Sequence, residues 1–334
     1  MRIPLRTRLQ IVPTPKKEIA KNISIKVVHE AGVGVELQPL TPERIGERAA
    51  ITWEDIRQYV QSFRAIPLGK TSRDKFRILL NNLRVISYPF EEAWIARHSA
   101  PLFRQRKTLY RCRKGDLVFC CANVGDELQF LESYEPHTWA ELKKVTAGDF
   151  INVGSSIGVF AVSMAYSLGS NGRVVAIEPH PLNQELLERT VMENGLSNVK
   201  VVKAAAWSER TTLTLYEHQL GGAKIDHSTV YRVSGKALTV PAVTVDQVVD
   251  SEGLDKVTLA LIDAEGAEVE ILKGMKATLR RFPSMHVVFE ALTIRSADRC
   301  RAVLADSEYK VRRIFGGGEG GIYVAVGPTS HLGR

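Results

Sequence analysis

The feature that most constrains this chain is a regular alternation, from Asp149 onward, of short apolar runs with segments patterned for helix. FINV is followed by an apolar helical stretch, RVVAIE by a helix opening near Pro181, and NVKVVKAA by a loop. LALID then leads into GAEVEILKGMKATLRRF, and MHVVFEA into a helix near 295–307. Strands alternating with helices of this size predict a mostly parallel sheet covered on both faces, a doubly wound α/β fold with its ligand in the crevice at the carboxyl ends of the strands. The chain closes with KVRRIF and IYVAV joined by GGGEGG, which predicts an antiparallel last strand and a loose hairpin connection.

The first of these units, DFINVGSSIGVFAVSMAYSLG, has almost the length of a membrane span. Asn152, Gly154, Ser155, Ser156 and Gly158 interrupt it within its first half, whereas a spanning helix needs about 20 consecutive apolar residues. A buried strand through Val153, a glycine turn and a helix from Ile157 to a stop at Gly169 account for it better. No membrane span is expected.

Residues 1–105 read as a basic, mainly helical extension, and residues 106–334 as the α/β domain. Within the extension, NISIKVVHEAGVGVELQPL alternates like a hairpin turning near Gly32 to Gly34. TWEDIRQYVQSF starts with a Thr-x-x-Asp cap and repeats apolar residues at helical spacing. Further helices are expected over Lys75 to Leu83 and Phe90 to His98, and LYRCRKGDLVFCCANV predicts a strand pair turning at Lys114 to Asp116.

Charge is divided unevenly. Residues 1–114 carry 23 Lys and Arg against 10 Asp and Glu, a net of +13, and the remainder 22 against 27, a net of −5, giving +8 for the chain. Such asymmetry fits either an anionic partner or a solvated, ion-paired surface. The four cysteines form no CxxC pair and have no histidine at zinc-site spacing, so no structural zinc is expected. Cys120 and Cys121, adjacent in a strand, face opposite sides and read as two buried thiols. The basic N-terminus lacks the apolar core of a secretory signal, so a cytoplasmic location is expected.

The turn GSSIG is neither the GxGxxG dinucleotide fingerprint nor the GxxxxGK[ST] phosphate loop, which disfavours a nucleoside triphosphate. Glu178 ends the next strand, where a carboxylate can accept both hydroxyls of an unmodified ribose. Asp263 and Glu265 end the strand LALID, with Gly266 permitting a tight turn and Glu268 and Glu270 in the helix beyond. Acids in a first helical turn are favoured by the helix dipole, which accounts for Glu268 but not for Asp263. Two carboxylates without a third clear ligand make a poor metal site, so none is expected.

Taken in order, the glycine turn, IEPHP, ENGLSNVKVV, AAAWSE, TVDQVV, IDAEGAEVEILKG and HVVFEA resemble the FkbM family of S-adenosylmethionine-dependent methyltransferases, over about residues 109–326. The resemblance implies a class I (Rossmann-like) fold of seven strands with S-adenosyl-L-methionine in the crevice. Position by position, it implies that Gly154, Ser156 and Gly158 form the turn under the methionine part, that Glu178 binds the ribose and that Ala205 and Ala206 lie beside the adenine. Asp263 matches the acid facing the transferred methyl. Asn152 stands where the family commonly has aspartate, Ser156 where it has asparagine, and Leu261 where it often has lysine.

For a hydroxyl nucleophile the protein must align, desolvate and remove one proton. Asp263 or Glu265 could take it; Asp263 could instead only contact the cofactor, and Glu265 only cap the helix. His180, between two prolines, is expected to be solvated, and Tyr134 to pack in the core or at the lip of the site. Three functions follow as expectations. The leading one is O-methylation of a small-molecule or sugar hydroxyl; the second is an RNA methyltransferase docking RNA through the basic front third; the third is an inactive cofactor-binding scaffold or sensor, motivated by Asn152 and Leu261.

Overall fold

A computed structural model describes residues 63–80, 109–122, 126–217, 237–316 and 320–330, together with four short strands at 7–9, 26–29, 34–36 and 223–225. The expected helix over TWEDIRQYVQSF, that over Phe90 to His98, and the centre of GGGEGG lie outside the described residues. The chain divides into two compact units, Met1–Ala50 and Ile51–Arg334. In the first, Lys26–His29 pairs antiparallel with Gly34–Glu36, as the alternation predicted, and Thr7–Leu9 adds a third strand that the sequence did not disclose.

The second unit is built on a seven-stranded sheet. Its strands are β1 (Asp149–Val153), β2 (Val174–Ile177), β3 (Val199–Val202), β4 (Val257–Ile262), β5 (His286–Ala291), β6 (Lys310–Phe315) and β7 (Gly321–Val326). Their spatial order is β6-β7-β5-β4-β1-β2-β3. Strands β3, β2, β1, β4 and β5 pair in parallel, and β7 runs antiparallel to both β5 and β6. The order reverses between β1 and β4, so the carboxyl ends of those strands open into a crevice.

The helices are α1 (Pro136–Leu142), α2 (Val159–Leu168), α3 (Pro181–Glu193), α4 (Val245–Ser251), α5 (Glu268–Lys273), α6 (Lys276–Arg281) and α7 (Ile294–Ala305). Because successive residues of a strand face opposite ways, each sheet strand feeds two cores. Ile151, Val153, Ile177, Ile262 and Phe289 pack with α4 to α7 on one face. Phe150, Ala176, Leu261 and Val288 pack with α2 and α3 and with the hairpin Tyr110–Lys114 and Leu117–Cys121 on the other. Strands buried on both sides explain why FINV and LALID read as continuous apolar runs.

Two sequence expectations needed correction here. GAEVEILKGMKATLRRF is two helices, because Gly274 passes so close to the carbonyl of Trp207 that a Cβ on it would lie 2.0 Å from that oxygen. The Asp246 carboxylate then accepts from the amides of Ala277 and Thr278, at 3.0 and 2.7 Å, and caps the second helix. The stretch after NVKVVKAA is not only loop. Thr211–Glu217, Ala223–Ile225, Ala237–Val243 and Ala205–Ala206 form a four-stranded sheet whose last member runs parallel to 242–243 and positions both alanines. Of the adjacent cysteines, Cys121 is buried and Cys120 only half-buried.

Candidate active site

The turn after β1 is shaped by close approach. Gly154 has φ 76° and Gly158 φ 94°, and a Cβ on Gly154 would sit 1.8 Å from the Asp263 carbonyl oxygen. Only glycine lets the end of β1 lie against the end of β4 at that spacing. The amides of Gly154 and Ser155 donate to the Ile177 carbonyl at 3.0 and 3.2 Å, tying the turn to β2. Ser155 Oγ donates to the Asn152 carbonyl at 2.7 Å. Ser156 adopts φ 50°, a left-handed conformation that a non-glycine residue holds only when its surroundings fix it.

Glu178 is what fixes it. Its Oε2 accepts from the Ser156 amide at 2.8 Å, and its Oε1 accepts from the His180 amide at 2.9 Å and from Asn183 Nδ2 at 3.2 Å. Burial raises the carboxyl above its ordinary pKa, and these three hydrogen bonds oppose that rise. A carboxylate has about four acceptor sites, so Oε2 with one donor still has room for a ligand hydroxyl.

Asp263 follows β4, its amide donating to the Val153 carbonyl at 3.1 Å. The pairing of Ile262 with Phe289 brings Glu290 of β5 alongside, and the two carboxyls share a hydrogen bond. Burial first, then the charges of Glu290, Glu135 and Glu265, push Asp263 well above the usual carboxylate range. Glu265 has φ 53° and is exposed at the rim. It does not cap the helix; Glu268 holds this loop. Buried at 1% exposure, Glu268 accepts through Oε1 from the amides of Ala264 and Gly266 at 3.2 and 3.0 Å. Burial raises it to about 7 despite those bonds.

Several of these groups line one cavity of about 240 Å³. Gly154, Ser156, Glu178, Ala205, Ala206, Asp263 and Glu265 all border it, and Tyr134 lines it too, with its ring 6.0 Å from that of Phe160. Gly158 shapes the turn without lining the cavity. Asn152 does not line it either: it is 1% exposed, shares the sheet face of Phe150, and lies between Ala176 and Leu261 in register. His180 is buried at 3% exposure at the start of α3, not solvated. Gln129, Asn183, Phe160 and Leu215 also line the cavity and were missed. Leu215 lies in the alternating run TTLTLYE, a strand signal that was present. Among the described residues no group of three or more His, Cys, Asp and Glu side chains is arranged to hold a metal ion, and no helix is long and apolar enough to cross a membrane.

Seven strands in this order, with β7 reversed and an acid-lined crevice at the carboxyl ends of β1, β2 and β4, define a class I methyltransferase fold. Residues 152–311 match the family model described as the methyltransferase FkbM domain, so this stretch of the chain carries a methyltransferase domain of that kind. No curated protein matches it in sequence. Among solved structures it is similar to precorrin-6y C5,15-methyltransferase from Geobacter metallireducens, at 16% identity over 58% of this chain and 88% of that one, with a TM-score of 0.38. A SAM-dependent methyltransferase from Aquifex aeolicus is similar at 16% identity over 59% and 93%, with a TM-score of 0.36. The Pyrococcus abyssi tRNA (uracil-54, C5)-methyltransferase, in complex with S-adenosyl-L-homocysteine, is similar at 13% identity over 66% and 44%, with a TM-score of 0.37.

Proposed function

We propose that this methyltransferase uses S-adenosylmethionine to methylate a hydroxyl on a neutral small molecule or sugar. The observation that carries the proposal is the charge of the crevice: among the described residues its ionisable lining is Tyr134, Glu178, Asp263 and Glu265, with no Lys, Arg or His. A cationic sulfonium cofactor fits such a wall, and a phosphate-bearing acceptor is repelled by it.

When bound, the cofactor supplies an electrophilic methyl group on sulfur. The chain's own residues do the rest. Oε2 of Glu178 keeps acceptor capacity for ribose hydroxyls, Ala205 and Ala206 leave flat space for an adenine, and the side-chain-free Gly154 turn leaves room for the methionine end. Asp263 receives the acceptor's proton, and its raised pKa makes it a stronger base than an exposed aspartate. The rings of Tyr134 and Phe160, 6.0 Å apart, give the cavity an aromatic wall beside these carboxyls.

The test is a calorimetric titration of the purified chain with S-adenosylmethionine, beside Glu178→Ala, followed by transfer of labelled methyl to a panel of neutral polyols and to RNA. Binding that the variant loses, with label passing to a polyol, supports the reading. An unmodified chain that binds no cofactor refutes it, and label passing only to RNA replaces the acceptor.

A further inference from the structure

A second recess lies at the opposite end of α3 from the crevice. That helix starts beside Glu178 and Asn183 and runs 13 residues to Glu193, about 20 Å away at 1.5 Å per residue. There its last turns, the helical residues 72–80 and the strand Tyr110–Lys114 enclose a groove of about 480 Å³, within the range of small-ligand sites. Four arginines line it: Arg73 and Arg77 from the first helix, Arg111 from the strand and Arg189 from α3.

The framework beneath these arginines is fixed. Thr71 Oγ1 accepts from the Asp74 amide at 3.2 Å, while Asp74 Oδ2 accepts from the Thr71 amide and hydroxyl at 3.1 and 2.7 Å. Its Oδ1 accepts from the Arg111 amide at 3.2 Å, so this buried carboxylate is engaged mainly by backbone and hydroxyl donors. The Arg111 side chain reaches it only at 3.9 Å.

The cations are under-neutralised. Glu193 serves both Lys70 and Arg111, the latter at 3.2 Å, and Glu185 pairs with Arg189 at 2.6 Å. Arg77 donates to the Leu109 carbonyl, a neutral acceptor. Among the described residues Arg73 has no ion pair or hydrogen-bond partner. Arg73 and Arg77 are also four residues apart on one helix face, a like-charge spacing that destabilises a helix unless an anion lies between the two.

We infer that this groove binds a small ligand carrying two or more linked phosphates, held by Arg73, Arg77, Arg111 and Arg189. Guanidinium forks match phosphate oxygens two at a time. Convergence on one recess, instead of a stripe along the surface, fits a compact oligophosphate better than a nucleic-acid backbone. The site is distinct from the crevice, whose acidic wall rejects the same chemistry, and it does not depend on the proposed acceptor. It also gives the basic bias of the front third a local purpose: three of the four arginines lie within residues 1–114 and the fourth comes from the methyltransferase domain.

The experiment is a calorimetric titration of the full chain with tripolyphosphate, pyrophosphate and inorganic phosphate, at low and moderate salt. The comparison is Arg73→Ala combined with Arg189→Ala, two side chains that hold no backbone group, with a melting curve to verify folding. Tripolyphosphate is expected to bind best, and the double variant to weaken it roughly a hundredfold, about tenfold per charge-assisted contact. No binding by the unmodified chain, or equal binding by a folded double variant, overturns the inference. Tighter capture of a short single-stranded RNA than of tripolyphosphate overturns it as well, because the groove would then belong to a nucleic-acid partner. Should the double variant fail to fold, Arg73→Glu alone decides: tripolyphosphate binding that this reversal leaves unchanged refutes the site.

Discussion

The Ser156 amide and the Glu178 carboxylate meet at 2.8 Å, joining the glycine turn after β1 to the tip of β2. The bond holds Ser156 at φ 50°, so the acid proposed to receive a ribose also fixes the shape of the turn. On that proposal, recognition and pre-organisation share one side chain.

Glu178→Gln should therefore damage both. A glutamine either turns an NH2 group toward the Ser156 amide or loses its acceptor toward His180 and Asn183, leaving a buried donor unpaired at a cost of about 1–3 kcal/mol. The expected result is a lower denaturation midpoint together with at least tenfold weaker cofactor binding by calorimetry. A variant with unchanged stability but weaker binding would mean that the carboxylate touches the ligand and does not shape the turn.

Gly154 and Gly115 both have positive φ, 76° and 59°, but only the first is crowded: a Cβ on Gly115 meets nothing within 4 Å. Gly115→Ala should cost about 1 kcal/mol, the left-handed penalty alone. Gly154→Ala must also separate β1 from the Asp263 carbonyl, so a loss on the order of 3 kcal/mol or more is expected, with cofactor binding abolished. Urea denaturation of the two variants measures the difference, and equal midpoints would show that β1 and β4 can part without penalty.

The sheet and its crevice were legible because both rest on local signals. Continuous apolar runs mark strands buried on two faces, and the acids Glu178 and Asp263 appear where those runs end. What was hidden depends on contacts distant in the chain or on a side chain's direction. Nothing in IEPHP reveals that the His180 amide bonds to Glu178 and that its ring is buried. Asn152 looked like part of the cofactor's cradle, yet the strand's period of two turns it to the face of Phe150. Arg189 joins Arg73, Arg77 and Arg111 only because α3 runs back beneath the hairpin. The pairing of Glu268 with Ala264 and Gly266 is local, but the dipole argument already accounted for an acid there, so its reach back into the loop went unread.

Glu268 should make stability depend on pH. Its folded pKa of about 7 exceeds that of an unfolded glutamate, near 4.3, so the folded state binds more protons between those values. Its contribution is then complete below about pH 4 and is lost as pH rises toward 7, by on the order of 3 kcal/mol. Glu268→Gln keeps an oxygen for the Ala264 and Gly266 amides and carries no charge. The variant should gain stability relative to the unmodified chain as pH climbs from 4.5 to 7, read from paired melting curves. Parallel curves would place the Glu268 carboxylate in water.

Asp263 and Glu290 should be coupled in the pH profile of turnover. The proposed base, Asp263, must be deprotonated to act, so activity should rise with pH through its pKa, which burial and the Glu290 charge hold high. Glu290→Gln removes that charge and the shared proton, so the Asp263 pKa falls and the acidic limb of kcat/KM moves to lower pH. Asp263→Asn should reduce kcat by about 100-fold or more while cofactor affinity changes little, since an amide of the same shape keeps its place but cannot accept the proton. Loss of affinity with kcat intact would make Asp263 a cofactor contact. An acidic limb unmoved by Glu290→Gln, with Asp263→Asn inactive, would separate the two carboxyls and leave Asp263 raised by burial alone.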